Sequence, residues 1–282
     1  MHDLQTRQAR LAPRRAARLA RARALFREGD DFLMRLAADD MVERAGLVAR
    51  TFGDACALFG GTDHLARRME ALPNVERATR AEEGAATPER LGLRANAFDL
   101  ICAPLSLHAA IDLPGALVQA ARALRPDGLL LAALPGPRTL QELRESLLVA
   151  ESEVSGGAAQ RVDLFAEVRD AGALLQRAGL ALPVTDTDLH VVRYDGIMQL
   201  VRDLRGMAAT FVDPVFASRA VFDRAAQIYA DRFADPDGRI RATFEIVSLS
   251  GWAPHASQQK PLRPGSAKSR LADALGVPEK PL

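Results

Sequence analysis

The first half of the chain alternates between short apolar runs and segments with helical spacing. Residues 54–59, 98–103 and 129–134 are apolar and bounded by turn formers, a pattern typical of buried strands. Residues 75–81 predict a weaker strand between the first two runs. Because strands alternate with helices, we expect βαβ units and hence an α/β fold, a doubly wound and mostly parallel sheet with helices on both faces.

Capping residues and glycines mark the predicted helix ends. Asp30 and Asp31 precede a helix that runs to about Val48, Thr62 begins one that ends near Met69, and Asp112 opens another. In the second half the pattern predicts helices at 139–150, 163–178, 197–207 and 214–233, and strands at 184–194 and 239–252.

The composition restricts the function. The 282 residues are 48% hydrophobic and 26% charged, which is enough for a core and excludes global disorder. A net charge of +1 argues against a dedicated nucleic-acid-binding protein. The longest apolar run, residues 128–137, is too short to span a bilayer. Cys56, Cys102 and five scattered histidines predict neither a disulfide framework nor a metal site, and we expect a cytoplasmic location.

The N-terminus is rich in arginine and poor in acid. Eight of the first 29 residues are arginine, against two acids and no serine. The pattern predicts a basic helix packed on the domain; a surface for anionic lipid or an acidic partner is the alternative, and the missing serines argue against a transit peptide. The chain divides into N-terminal helices (1–48), an α/β domain (49–252) and a Pro/Gly/Gln-rich tail (253–282). Only three of its 37 basic residues are lysine, which is typical of a GC-rich bacterial genome.

A glycine turn follows the first predicted strand. Gly60 and Gly61 let the backbone approach a ligand, and the helix after Thr62 favours negative charge at its N-terminus. Two adjacent glycines also fit a plain tight turn. Glu82 lies 22 residues beyond Gly60, a spacing at which an acid binds a ribose hydroxyl, with a solvated acidic loop as the alternative.

Polar residues also follow the strand at 98–103. Ligands of open α/β sheets bind outside the carboxyl ends of the strands, so Ser106 and His108 are placed to meet one. His108 has the chemistry of a base near neutral pH, although a packing role is the alternative. Residues 251–267 combine turn formers with His, Gln, Lys and Arg, which fits either an ordered binding loop or a disordered tail.

Several segments resemble a known family. Residues 98–117 and 124–129 are similar to the fourth-to-fifth strand region of class I S-adenosylmethionine-dependent methyltransferases with a type 11 domain. They are closest to the branch shared by biotin-pathway malonyl-carrier methyltransferases and the complex I assembly factor. Residues 140–146, 165–175 and 242–268 resemble the assembly-factor branch specifically. The resemblance implies a seven-stranded Rossmann-like sheet with an antiparallel last strand pair and N-terminal helices.

The cofactor motifs depart from the family pattern. Ala57 stands where the family has an acid in its first strand, and Asp63 stands where it has a second glycine. The acid that contacts adenine falls near Thr87, and Ala109 replaces an aromatic residue. Only 15 residues separate Glu82 from Phe98, so the third strand region is expected to be shortened. The motif is therefore eroded, and weak or lost binding of S-adenosylmethionine is expected.

The resemblance implies a methyltransferase-family protein that acts on an unidentified acceptor. S-adenosylmethionine would be the cofactor, with His108 orienting or deprotonating the acceptor. The residues expected to line the cofactor are Gly60, Gly61, Thr62, Glu82, Thr87, Ala103 and Ser106. The alternative is a non-methylating assembly factor for respiratory complex I, either arginine-modifying or chaperone-like, that contacts a complex I subunit through the C-terminal region.

Overall fold

The structure, a computed structural model, describes residues 31–59, 62–81, 90–110, 112–157, 161–162, 168–207 and 217–259. The helices in these ranges are α1 Phe32–Gly46, α2 His64–Glu70, α3 Leu113–Ala123, α4 Gln141–Ser155, α5 Val168–Arg177, α6 Ile197–Gly206 and α7 Arg219–Phe233. The strands are β1 Ala55–Leu58, β2 Ala78–Ala81, β3 Phe98–Ala103, β4 Leu124–Pro135, β5 Ala181–Tyr194 and β6 Ile240–Trp252. The predicted basic helix before residue 31 lies outside the described residues.

The six strands form one sheet in the order β2-β1-β3-β4-β6-β5. β1 to β4 are parallel to one another, whereas β6 is antiparallel to both β4 and β5. The chain leaves β1 for β2 on one side and returns to β3 on the other, so the strand order reverses at β1. A crevice at the carboxyl ends of β1 and β3 is the usual ligand position in such a sheet. The predicted α/β, Rossmann-like fold is confirmed, and residues 82–89, in the region expected to be shortened, lie outside the described part.

Alternate residues of the central strands face two different cores. Cys56 and Ile101 pack on one face with side chains of α3 and α5, while Ala57 and Cys102 pack on the other with α1 and α2. The two cysteines sit on neighbouring strands and are both free. Since they face opposite sides of the sheet, they cannot approach each other, which agrees with the expected lack of a disulfide.

A third core lies at the carboxyl edge of the sheet. There α4, α6 and α7 pack on the first residues of β6 and the last residues of β5. Tyr229 of α7 is buried and its hydroxyl donates a hydrogen bond to the Arg241 carbonyl at 2.8 Å, because a buried phenol needs a polar partner. These three helices form a helical layer that covers the β4–β6 side of this edge.

β4 begins five residues earlier than the apolar run at 129–134 indicated. Leu124 pairs with Phe98 and Leu129 with Leu100, so the intervening residues form a bulge inside the strand. Asp127 in this bulge has a φ of 64°. The sequence Pro126-Asp127-Gly128 therefore interrupts the pairing locally, where the pattern predicted a turn before the strand.

The described part of the tail lies at the amino edge of the sheet. Ala253 N donates to Gly128 O at 2.8 Å, and Gln258 Nε2 donates to Asp127 Oδ1 at 2.9 Å. Residues 253–259 are thus an ordered loop, on the edge opposite the carboxyl ends of β1 and β3. Residues 260–282 lie outside the described part. Across the described helices, none has the length and apolar character needed to cross a membrane.

Candidate functional site

The carboxyl ends of β1 and β3 hold those predicted cofactor residues that the structure describes. Phe59, the residue after β1, has a φ of 54°, a left-handed conformation that is uncommon for a residue with a side chain. Thr62 lies four residues beyond the end of β1, Ala103 is the last residue of β3, and Ser106 lies three residues beyond it. Gly60, Gly61, Glu82 and Thr87 lie outside the described residues, so their cofactor roles stay predictions.

Thr62 is fixed by a buried carboxylate at the start of α1. Its hydroxyl donates to Asp31 Oδ2 at 3.0 Å, and Arg35 Nε donates to Asp31 Oδ1 at 2.8 Å. Thr62 Oγ1 also lies 3.4 Å from the backbone nitrogen of His64, which donates to it at the start of α2. Helix α2 begins two residues after the predicted Thr62, with Asp63 at its N-cap position. Asp31 is only 1% exposed, so this contact belongs to the interior.

Ser106 provides an unpaired polar group at the end of β3. The residue is fully buried, and its Oγ has no hydrogen-bond partner among the described residues. Buried hydroxyls are normally paired, and an unpaired one at the ligand edge of an α/β sheet indicates a missing polar partner. The predicted ligand contact of Ser106 is compatible with this position.

His108 lies in a short 3-10 turn, Leu107–Ala109, beyond β3. Leu105 ahead of it has a φ of 40°, which bends the chain back over the sheet. The neighbours Leu107 and Ala109 are buried in the turn, and His108 itself is half-buried. The turn thus presents His108 at the same edge as Ser106, and its role as a base stays a prediction.

Asp63, at the position of a family glycine, takes part in an ion pair. Its Oδ1 accepts from Arg80 Nη1 of β2 at 2.6 Å, and its Oδ2 lies 3.3 Å from Arg67 Nη2 of α2. The hydrogen bond from Arg80 lowers the pKa of Asp63. Because the pair is largely exposed, it adds little stability, but it places a charged group where a glycine would leave open space.

A second polar group at this edge was missed by the sequence analysis. Glu245 of β6 is 7% exposed, and its Oε2 accepts from Arg138 N at 2.7 Å. Its backbone carbonyl accepts from Gly136 N at 2.7 Å, and its backbone nitrogen donates to Thr139 Oγ1 at 3.1 Å. Pro135, the last residue of β4, pairs with Ile246, so Glu245 lies at the carboxyl edge.

Glu142 lies beside Glu245 on the same side of β6. It accepts from Thr243 N at 3.1 Å and also from the Thr243 hydroxyl, and it is 6% exposed. In the described part of the chain, neither glutamate has an Arg or Lys partner within ion-pair distance. Carboxylate oxygens accept hydrogen bonds, so these two side chains suit a ligand that donates them, such as a cation, better than an anionic ligand. The sequence signal was a glutamate within the apolar strand run at 242–247.

These contacts fit a polar cofactor at the β1–β3 crevice. The hydroxyl of Ser106, which has no partner among the described residues, and the fixed hydroxyl of Thr62 follow β3 and β1, the two neighbouring strands at the reversal of strand order. S-adenosylmethionine carries amino, carboxylate and hydroxyl groups that such side chains bind. Across the described ranges, no group of three or more His, Cys, Asp or Glu residues is arranged to hold a metal ion.

Comparison with known proteins identifies a matching family and similar proteins. Residues 45–132 match the family described as a methyltransferase domain. The chain is 35% identical over 262 residues to the mitochondrial arginine hydroxylase NDUFAF5 of Danio rerio, a match that covers 86% of this chain and 82% of that protein. It is 33% identical over 181 residues to the malonyl-[acyl-carrier protein] O-methyltransferase of Laribacter hongkongensis, covering 63% and 58%.

Among solved structures, the YcgJ protein of Bacillus subtilis is similar with a TM-score of 0.44 and 16% identity, covering 78% of this chain and 99% of that one.

Proposed function

The chain belongs to the family of class I S-adenosylmethionine-dependent methyltransferases, in the branch that contains the arginine hydroxylase NDUFAF5 and malonyl-carrier O-methyltransferases, and on this premise we propose that it modifies an arginine side chain of a protein. The observation that carries the proposal is the charge at the carboxyl edge. Glu245 and Glu142 present buried carboxylates there, with neutral donors as their partners among the described residues. A guanidinium group complements them, whereas the malonyl carboxylate of a carrier protein would be repelled.

Glu245 is the better placed of the two carboxylates to contact a substrate. Both oxygens of Glu142 accept from Thr243, whereas Glu245 uses Oε2 for Arg138 N, and its Oε1 has no donor within the described ranges. A guanidinium group donates hydrogen bonds in a planar fork, so a carboxylate with a free oxygen can fix its orientation. Glu142 and Thr243 would then hold β6 in position beneath it.

The family fold would supply the cofactor site. Thr62, Ala103 and Ser106, together with Gly60, Gly61, Glu82 and Thr87, would hold S-adenosylmethionine, which provides an electrophilic methyl group when bound. The eroded motif at Ala57 and Asp63 supports weak binding. His108 would accept a proton from the substrate at its ring nitrogen.

Hydroxylation is the first candidate chemistry, since the relative that this chain matches over most of its length is named an arginine hydroxylase. One oxygen atom of dioxygen would enter a C–H bond of the arginine side chain. The other would leave as water, with two electrons and two protons from an external reductant. Methyl transfer is the second candidate, and the methyltransferase domain match at 45–132 favours it.

A subunit of respiratory complex I is the proposed protein substrate, and the cytoplasm the proposed location. Residues 242–246 are buried, and the exposed residues of the described C-terminal region lie in the loop at 254–259. That loop lies at the amino edge, away from Glu245. We therefore assign partner contact to the loop and recognition of the arginine side chain to the carboxyl edge.

Co-expression with the complex I subunits of the same cell, followed by mass spectrometry of those subunits, tests the proposal. We expect one arginine to gain the mass of an oxygen atom, and the gain to disappear with Glu245→Gln. A gain of one methylene mass would select methyl transfer instead. The matched control is Glu145→Gln on α4, because the Glu145 side chain is 50% exposed. Modification that persists in Glu245→Gln, or none with the unchanged chain, would contradict the proposal.

A further inference from the structure

We propose that the outer edge of β5 binds the substrate protein as an added β-strand, an extended segment whose arginine side chain reaches Glu245. The inference rests on the proposed function, because it takes arginine as the group that Glu245 recognises. It adds the backbone conformation of the substrate and the surface that holds it. Three observations carry it: the free edge of β5, two exposed apolar side chains on this strand, and their register with Glu245.

β5 is the last strand on one side of the sheet. β6 pairs with one of its edges over residues 184–194, and within the described ranges no strand pairs with the other edge. An edge strand presents a row of N–H and C=O groups without strand partners, and an extended peptide binds such an edge through main-chain hydrogen bonds. β5 therefore has the backbone groups to accept one more strand.

One end of β5 is poorly suited to further pairing, and the other is well suited. Near its start, Pro183 lacks an N–H group, and the register with β6 shifts between Ala181 and Val184. From residue 184 to 194 the pairing is continuous and the sequence contains no proline. This stretch is longer than a typical strand of about 5–6 residues, so its carboxyl half offers room for a complete added strand.

Leu189 and Val191 give this half of β5 an uncovered apolar surface. Leu189 is 45% exposed and Val191 is 56% exposed. Single exposed apolar side chains are ordinary, but these two are separated by one residue and so stand side by side on the same face of the sheet. The opposite face of this stretch is covered, since Val192 packs against the helical layer and Tyr194 is buried. A ligand on the open face would thus meet an apolar surface.

The strand register places this apolar surface beside Glu245. Leu189 pairs with Glu245. Val191 pairs with Thr243, and directly paired residues have their side chains on the same face of a sheet. An added strand would lie two strand spacings, about 10 Å, from β6. An arginine side chain of that strand would run between Leu189 and Val191, cover them with its methylene groups and bring its guanidinium toward Oε1 of Glu245.

Fluorescence polarisation with a labelled peptide, acetyl-Thr-Val-Thr-Arg-Thr-Val-Thr-amide, tests the inference. Two N-methylated forms carry their methyl groups either on the arginine and the valines or on the threonines. Alternate N–H groups of a strand point to opposite edges, so only one of the two forms blocks the hydrogen bonds to β5. We expect that form to bind at least about tenfold more weakly than the parent peptide, and the other form to bind equally well.

Val191→Lys tests the same surface from the side of the protein. The lysine removes an apolar contact and repels the arginine, so we expect binding to weaken at least about tenfold. Val184→Lys is the matched control, because Val184 is 57% exposed on the same strand but lies outside a seven-residue segment opposite 187–193. Its affinity should equal that of the unchanged chain. Equal affinities in the two lysine variants would overturn the inference.

Citrulline in place of the arginine of the peptide separates this inference from the proposed function. Equal binding of the citrulline peptide, with one N-methylated form inactive, would refute recognition of arginine and leave the added strand standing. A preference for arginine, with both N-methylated forms active, would refute the added strand and leave the proposed function standing. No binding up to millimolar peptide would overturn the inference as well. So would a dimer of the unchanged chain that Val191→Lys dissociates, because the edge would then belong to a second copy.

Discussion

Gly136 and Glu245 approach each other so closely that no side chain fits at residue 136. A Cβ built on Gly136 would stand 2.5 Å from Glu245 Oε2 and 2.6 Å from its Cγ. The close approach lets Gly136 N and Arg138 N bond the carbonyl and the carboxylate of the same glutamate, at 2.7 Å each. The backbone after β4 therefore clamps Glu245 at the edge of the sheet.

Gly136→Ala should break this clamp. The added methyl group would displace the Glu245 side chain, and we expect a loss of about 1–3 kcal/mol in the free energy of unfolding, measured by urea denaturation. Gly157→Ala is the control, since nothing lies within 4 Å of its built Cβ, and it should change stability by less than about 1 kcal/mol. An unchanged free energy of unfolding in Gly136→Ala would mean that the Glu245 side chain moves aside without cost.

Glu245→Gln should separate stability from function. The amide keeps an oxygen for Arg138 N and removes a buried charge that has no cationic partner within the described ranges, so the free energy of unfolding should stay the same or rise by about 1 kcal/mol. Glu245→Ala loses the acceptor as well and should destabilise by about 1–3 kcal/mol. Urea denaturation of both variants checks this, and strong destabilisation by the glutamine would show that the charge is needed for folding.

Much of the fold could be predicted from the sequence because apolar runs and buried strands coincide. Phe98–Ala103 was predicted to the residue, and α1, β1 and β6 to within two residues. The predicted start of β4 is wrong, because local turn formers indicate a turn where long-range pairing with β3 forms a bulge. Local propensity cannot report such pairing.

The site was less predictable, because its contacts join residues far apart in the sequence. Glu142 and Glu245 lie in two segments that each resemble the assembly-factor branch, but only the fold brings them together through Thr243. The same holds for Asp31 and Thr62, which the sequence analysis treated as two separate helix starts. A charged residue inside an apolar strand was the one local signal, and it indicates a role without identifying its partners.

The two cysteines should not react with a thiol reagent in the native protein. Burial raises the pKa of Cys56 from 9.0 to about 12 and raises that of Cys102 as well. Near pH 8 only about one in ten thousand Cys56 thiols would be ionised, and the thiolate is the reactive form. We expect no fast-reacting thiol with Ellman's reagent in buffer and two in denaturant.

A control for this labelling is Ala256→Cys in the exposed loop, which should react at once. A fast thiol in the unchanged protein would mean that β1 or β3 opens readily.

Arg125 should stabilise the protein more at neutral pH than in acid. Its guanidinium bonds Asp54 Oδ2 and Asp99 Oδ2 at 2.7 Å each, joining the starts of β1, β3 and β4. The hydrogen bond from Arg125, followed by that from Arg77, lowers the pKa of Asp54 from 3.8. A lowered carboxyl pKa contributes stability that is complete above 3.8 and is lost as the pH falls through the folded-state value.

Arg125→Gln should therefore be less stable than the unchanged protein at neutral pH, and the difference should narrow as the pH falls below 3.8. Urea denaturation across that range measures it. Arg219→Gln is the control, because the Arg219 side chain is 95% exposed and should show no pH-dependent difference. A constant difference at all pH values would assign the role of Arg125 to packing.

Arg161 and Glu151 form a buried ion pair. Removing one partner should cost more stability than removing both. Each side chain is 10% exposed, and Arg161 Nε donates to Glu151 Oε2 at 3.2 Å. Arg161→Met leaves a buried carboxylate without its guanidinium partner, and we expect a loss of about 3–5 kcal/mol in the free energy of unfolding. Glu151→Leu/Arg161→Met replaces both charged side chains with apolar ones and should lose less than the single variant.

Arg232→Met provides the comparison for that pair. Arg232 bonds Glu145 at 2.6 Å, but both side chains are about half exposed, so its loss should cost less than about 1 kcal/mol. Urea denaturation of Arg161→Met, Arg232→Met and the double variant ranks their free energies of unfolding. If the double variant were as unstable as Arg161→Met, the loss would come from packing around α4 rather than from an unpaired charge, and the ion pair would not be what holds residue 161 against α4.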